Sequence, residues 1–543
     1  MIDTPFTSEI VRGGAELETV ERGLRLHRLP QPYRGREADG QLAMVERQPS
    51  GIHLRFRTTA RVIALSLHAT RVSYRGLDRA RGQVDVLVDD VLVRRQPLED
   101  GDALELDLAM GGATPRPGGA DTVTIGDLAP AEKTVEIWLP HNEQIDLLTL
   151  RSDAPIVPIG DARPVWVHHG SSISHGSNAA APTEIWPVVA ARTAGVHLHN
   201  LGFGGSAMVD PFLARVIRDR DADVISVKLG INVVNADAMR ARAFVPAVHG
   251  FLDTIREGHP DTPLLVVSPI YSGIHEKTPG PGAFDPESLR AGAARFVATG
   301  SPDDVARGAL TLEVVRDLLA AVVAARSDDP ALHYLDGLSL YGADDARALP
   351  LPDGLHPDTA THRLIGERFA AAAFGATVRC GAEPGGIRAH APVALPPVRP
   401  RDGARGAGPR VRRRCRPRSR PRRQPPMVAH GADPDVRRRR SPAGHTAAGF
   451  GAAGLSRSYR VRPATPTPRA APAAPRPRSP PCRAPSAACL SRAMRPCARV
   501  RRARGAHRPD PRRRSRPGAP PAATIAARGS CSAQRRSGKT RPA

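Results

Sequence analysis

Residues 165–176 read Val165-Trp166-Val167-His168-His169-Gly170-Ser171-Ser172-Ile173-Ser174-His175-Gly176. A short apolar run of this kind is a strand buried on both faces, and the Gly/Ser segment behind it is a turn. The same unit recurs at Val196-His197-Leu198, at Val224-Ile225-Ser226-Val227 and at Leu264-Leu265-Val266-Val267. Between these runs the apolar residues follow the helical period, as in Phe244, Val248, Leu252 and Ile255, or Leu312, Val315, Leu319 and Val322. A last helix is expected from about Pro357 to Phe374, with Pro357 at its first position. Strand-helix alternation predicts the α/β class, with a doubly wound parallel sheet. Such sheets carry their reactive residues in loops beyond the carboxyl ends of the strands.

Upstream the period changes to two. Ile52, Leu54 and Phe56 alternate with His53, Arg55 and Arg57, and Val135, Ile137 and Leu139 alternate with Thr134, Glu136 and Trp138. These are expected to be half-buried strands. Val84, Val86 and Val88 run into Asp89-Asp90 and out through Val91 and Val93, a hairpin signal, and Pro/Gly punctuation at Thr114 to Ala120 separates further short strands. An antiparallel β-sandwich is therefore expected over residues 1–160, ahead of the α/β domain at 161–386.

Downstream the composition collapses. The chain of 543 residues has a formal net charge of +24, yet residues 387–543 hold 40 Lys+Arg against 4 Asp+Glu, while residues 1–386 hold 38 against 50 and are net acidic. The 387–543 segment is Arg, Pro, Ala, Gly and Ser with only Phe450 and Tyr459 as aromatics; it cannot bury a core and is expected to be a disordered tail. Clusters such as Arg437 to Arg440 would suit a nucleic acid or another polyanion. The near absence of stacking aromatics and the single lysine, Lys539, favour an unselected or frame-shifted extension instead. Cys415, Cys482, Cys489, Cys497 and Cys531 lie in this tail at no metal-ligand spacing and Cys380 stands alone, so no disulfide framework is expected. Residues 1–18 lack a basic region followed by an apolar stretch, and no apolar run approaches bilayer length; the expectation is a cytoplasmic protein.

Four segments at strand ends or in the last loop hold the residue types of acyl transfer: Gly170-Ser171-Ser172-Ile173-Ser174, Asn200-Leu201-Gly202-Phe203-Gly204-Gly205-Ser206, Gly230-Ile231-Asn232-Val233 and Asp353-Gly354-Leu355-His356-Pro357-Asp358. A serine hydroxyl needs an imidazole to accept its proton, and the imidazole needs a carboxylate to fix its tautomer. Asp353 and His356, three residues apart, can supply both from one turn. In this order the four segments resemble the sequence blocks of the SGNH hydrolases, or GDSL esterases, over roughly residues 164–374. The resemblance implies a flavodoxin-like sheet, Ser172 as nucleophile, Asp353 and His356 as the rest of a triad, and an oxyanion hole from the backbone N–H groups of Ser172 and Gly205 and the side-chain amide of Asn232. Asn235 competes with Asn232 for that last role. An α/β-hydrolase elbow is disfavoured, because the fifth position counted from Gly170 is Ser174 and not glycine.

Two positions depart from the family pattern: Ser171 stands where an aspartate precedes the serine, and Val233 where an aspartate often follows the asparagine. A β-sandwich ahead of such a domain resembles carbohydrate acetyl esterases and actinobacterial GDSL proteins that include acyltransferases. The expected function is thus a serine esterase cleaving small or carbohydrate-linked acyl esters through an acyl-Ser172 intermediate, with no metal or cofactor. An acyltransferase that passes the acyl group to a hydroxyl is the alternative, and a polyanion-binding protein working through its tail is the competitor from another class. Adjacent His168 and His169 point to opposite faces of a strand and cannot share an ion; His175 is at most a pocket wall. Glu276 and Lys277, in a Pro/Gly-rich loop that could cover the site, are expected to be solvated.

Overall fold

The computed structural model describes residues 1–36, 40–107 and 111–375. The expectations placed on the tail and on all six cysteines fall outside these residues. Everything described belongs to one unit by its internal contacts.

The N-terminal part is two sheets around a shared apolar core. One sheet runs Ala113–Arg116, Asp102–Leu106, Ile63–Tyr74, Gln144–Ser152, Gly23–His27, Glu16–Val20, with Ile2–Thr4 and Asp121–Ile125 added beside it. The other runs Ile156–Pro158, His53–Thr58, Lys133–Trp138, Gln83–Val88, Val91–Pro97, with Val11–Arg12 alongside His53–Thr58. Pairing is antiparallel except between Ile63–Tyr74 and Asp102–Leu106, which run parallel. Leu54, Phe56, Val84, Val86, Val135 and Ile137 face Leu65, Leu67, Ile145 and Leu147 in the core, as the alternation predicts.

The alternation fails on the other face of the second sheet. His53, Glu136 and Trp138 occupy positions read as solvent-facing, yet all are buried, as is Asp85 between Val84 and Val86. The physical reason is that this face is covered by the α/β part: Leu87 and Trp138 join Trp166 and Trp186 in one apolar cluster, and His53 stacks on Trp138 at 4.0 Å. These strands are buried on both sides where they meet it, and several of the polar residues inside the contact are paired. Arg95, for example, bridges Asp85 at 2.7 Å and Glu184 at 2.9 Å.

The α/β part is a five-stranded sheet, all parallel: Val165–Gly170, His197–Gly202, Val224–Lys228, Leu264–Val267 and Leu332–Leu335 in chain order. The second strand lies outside the first and the other three follow on its opposite side, the flavodoxin-like order. Helices cover both faces. Pro211–Arg218, Ala241–Gly258 and Leu312–Ala324 pack on Val167, Ile225 and Val266, while Trp186–Ala194 and Thr359–Phe374 pack on Trp166, Val224 and Leu265. The last helix begins at Thr359, not Pro357. Its N-cap is Asp358, whose carboxylate accepts from the N–H of Thr361 and satisfies a donor the first turn leaves open. Among the described residues no helix is long and apolar enough to cross a membrane.

Candidate active site

Strand Val165–Gly170 ends at Ser171, which caps a one-turn helix, Ser172–His175, through its hydroxyl. Ser171 therefore serves the backbone where the family has an aspartate. The helix is pressed against the end of the second strand: a Cβ on Gly202 would lie 2.5 Å from the backbone of Ser174, so only glycine lets the two approach. Across the strand, His168 binds Ser226 and Ser174 at 2.7 and 2.8 Å, while His169 binds the Leu201 carbonyl at 2.8 Å. They face opposite sides, and neither is hydrogen-bonded to Ser172.

The loop ahead of the last helix delivers the other two members. Oδ1 of Asp353 accepts from the backbone N–H groups of Leu355 and His356 at 2.9 and 2.7 Å, which folds the turn around the carboxylate. Oδ2 lies 2.7 Å from Nδ1 of His356, and Nε2 of that ring lies 2.9 Å from Oγ of Ser172. Burial pushes the Asp353 carboxyl up, but the hydrogen bonds from the His356 ring and from both backbone N–H groups outweigh it and hold the carboxyl below its ordinary range. Asn178 adds a fourth donor to the Asp353 carboxylate, at 3.0 Å. The Phe296 ring stands edge-on to the imidazole, with centroids 5.4 Å apart, and its N–H binds the Asp353 carbonyl at 2.8 Å.

The three residues expected to supply the oxyanion donors, Ser172, Gly205 and Asn232, line the same cleft, together with His356. Gly205 sits at φ +74°, a left-handed conformation that glycine adopts without strain. Oδ1 of Asn232 accepts from the Ala207 N–H at 3.1 Å, which fixes the carboxamide and leaves its NH2 end for the cleft. Asn235 also lines the cleft, but its Oδ1 receives Nε2 of His275 at 3.1 Å. Val233, at the other departure, is buried in the apolar core beside Val227 and Leu229.

The N-terminal part reaches into this site in ways the sequence does not announce. Arg28, fully buried, donates to the carbonyls of Asn200 at 3.0 Å, Gly202 at 2.6 Å and Val45 at 2.7 Å, and lies 3.3 Å from Nδ1 of His175. It thereby ties helix Ser172–His175 to the strand end that leads to Gly205. Burial lowers its guanidinium to about 9. His175 donates from Nε2 to the His141 carbonyl at 2.7 Å and is held neutral, first by burial and then by the Arg28 charge. Asn200 completes the joint by donating to Ser50 Oγ and the Ser174 carbonyl, both at 2.9 Å. A lone arginine after a strand gives no signal of such a role.

The resulting cleft, about 610 Å³, is lined by Ser172, His356 and Asn232 of the α/β part and by Tyr74, Arg79 and Arg81 of the sandwich. The long loop also flanks it: the ribbon Gly282–Phe284 with Phe296–Ala298 sets Phe284 against Tyr74 at 6.4 Å. Glu276 is not solvated as expected. Both its oxygens bind Arg316, at 2.6 and 2.9 Å, fastening the loop to helix Leu312–Ala324, whereas Lys277 is exposed. No cluster of metal-ligating side chains occurs among the described residues.

Residues 169–364 match the model of the GDSL-like lipase/acylhydrolase family. No curated protein matches the chain. Among solved structures, a salicylyl-acyltransferase, SsfX3, from a tetracycline biosynthetic pathway is 26% identical, with a TM-score of 0.55, over 67% of this chain and 94% of its own. A protein described as a GDSL-like lipase from Bacteroides ovatus is 19% identical, with a TM-score of 0.48, over 67% and 95%. A family two carbohydrate esterase from Clostridium thermocellum is 13% identical, with a TM-score of 0.41, over 60% and 93%.

Proposed function

From a chain whose residues 169–364 form a GDSL-like lipase/acylhydrolase domain, we propose a serine-dependent carboxylic ester hydrolase that works through an acyl-Ser172 intermediate. The observation that supports it is the unbroken relay from Asp353 Oδ2 through both ring nitrogens of His356 to Ser172 Oγ, facing one cleft with Gly205 and Asn232. His356 takes the Ser172 proton as Oγ attacks the ester carbonyl, and Asp353 holds the ring with Nδ1 protonated and stabilises the imidazolium. Negative charge gathers on the former carbonyl oxygen, where the N–H groups of Ser172 and Gly205 and the amide of Asn232 stabilise it. The imidazolium then protonates the departing alkoxide. A water deprotonated by His356 releases the acid and restores Ser172.

The test is hydrolysis of p-nitrophenyl esters of graded chain length, with fluorophosphonate labelling and peptide mapping. Loss of turnover in Ser172→Ala, and label on Ser172, support the proposal. Label on Ser171 or Ser174 overturns the assignment.

A second reading has a specific support. The similarity to a salicylyl-acyltransferase at 26% identity and a TM-score of 0.55 spans both the sandwich and the α/β part, which favours a hydroxyl acceptor in place of water. The two readings share every step up to the acyl-enzyme. Product analysis with added sugar or polyketide hydroxyl compounds separates them: ester product points to transfer, free acid alone to hydrolysis.

A further inference from the structure

The sandwich side of the cleft carries a cation that the described residues do not neutralise, and we propose that Arg79 recognises an anionic oxygen group, carboxylate or phosphate, on the ester substrate. The proposal rests on the reading of Ser172 as nucleophile and adds the class of substrate to it.

Arg79 stands in the connection between strands Ile63–Tyr74 and Gln83–Val88 and lines the same cleft as Ser172 and His356. Its side chain makes one hydrogen bond among the described residues, from Nη1 to the Val72 carbonyl at 3.3 Å. A guanidinium has about five N–H donors in a fixed fork, so most remain for solvent or a ligand. No carboxylate of the described residues lies within the 4.0 Å of an ion pair. That includes Asp78, its neighbour in the chain and in the cleft lining.

The arginines around it are already engaged. Arg75 pairs with Glu105 and Asp107 at 3.1 and 2.8 Å. Arg81 binds Glu143 at 2.7 Å and the Gly101 carbonyl at 3.3 Å, and Arg71 donates to the Arg79 carbonyl at 2.8 Å. Arg71 and Arg81 therefore hold the backbone that presents Arg79, while its fork stays open. The Arg79 charge is also among those that lower the imidazoles of His141 and His175, behind burial in each case, which sets it within electrostatic reach of the wall next to Ser172. A planar fork suits two oxygens of one anionic group.

The anion can sit on the acyl or the alcohol portion, and two matched ester pairs distinguish these. One pair is p-nitrophenyl hemiglutarate and its methyl ester; the other is p-butyryloxybenzoate and its methyl ester. Assayed on the full chain, one pair is expected to show the acid form favoured by about tenfold in kcat/KM, mainly through KM. In Arg79→Gln that ratio falls to about one, and Arg79→Lys retains part of it. The basic 387–543 segment is present in all variants, so its charge cancels from the comparison. Ratios near one for both pairs in the unaltered protein overturn the proposal, as does a preference that survives Arg79→Gln. Methyl-ester turnover that persists in Ser172→Ala is a different result: it overturns the reading of the site and this proposal with it.

Discussion

The His356 ring has a partner on each nitrogen, at 2.7 and 2.9 Å, and substitutions there separate its duties. His356→Ala removes the base and is expected to lower kcat by roughly 10³ or more. Asp353→Asn keeps the turn's shape but presents the wrong tautomer. Asn232→Ala is expected to lower kcat by about 10²–10³ with a smaller change in KM, because its amide acts chiefly on the transition state. Steady-state kinetics of the three variants check this; a kcat loss in Asn235→Ala with none in Asn232→Ala contradicts the oxyanion assignment. That these residues come together with Ser172 was legible in the sequence because Asp353 and His356 share one turn, and because the four ordered segments resemble the family's blocks. Arg28 and Asn178 were not. Arg28 meets Asn200 across 172 residues and Asn178 meets Asp353 across 175, and no local pattern encodes such a contact.

At the scale of elements, the last helix matters because its first turn begins three residues after His356. Asp358→Ala removes the N-cap and is expected to cost about 1 kcal/mol of stability. A drop in melting temperature with an unchanged fold by circular dichroism checks it, and an unaltered melting temperature contradicts it. Pro357 had suggested an earlier start, since proline favours the first helical position; the capping carboxylate of Asp358 fixes the start two residues later. The four apolar strands were readable because burial on both faces leaves an unbroken run. The fifth, Leu332–Leu335, interrupts that signal with His333 and Tyr334, and the strands between Ile2 and His27 are short and mixed in polarity. Strands 53–58 and 133–138 alternate as half-buried strands do, but exposure depends on what packs against the second face, which the period cannot report.

Across the whole molecule, burial keeps a set of histidines neutral: His141 and His175 where the sandwich meets the α/β part, and His168, His169 and His362 within the α/β part. Burial lowers His141 to about 3 and His169 and His362 to about 4, and puts His168 and His175 well below the ordinary value. In the unfolded chain each titrates near about 6.5. Above that pH both states are neutral there and these groups contribute no slope. Between about 6.5 and 4 the unfolded state binds more protons, so stability falls as pH falls, by about 1.4 kcal/mol per pH unit for each such histidine. Melting temperatures measured from pH 7.5 down to about 5 are expected to decline steeply below about 6.5; a flat profile contradicts the buried neutral state. The two-part architecture was legible from the switch in period near Pro164. Which sandwich residues line the cleft was not, because that depends on how two surfaces meet.

The central claim is that Ser172 carries the acyl group. Mass spectrometry of the full chain, quenched in acid during turnover of a p-nitrophenyl ester, tests it most directly. A nucleophilic Ser172 gives one added acyl mass on the peptide that contains it, formed in step with p-nitrophenol release and absent from Ser172→Ala. Turnover with no covalent adduct, or an adduct on another residue, contradicts it.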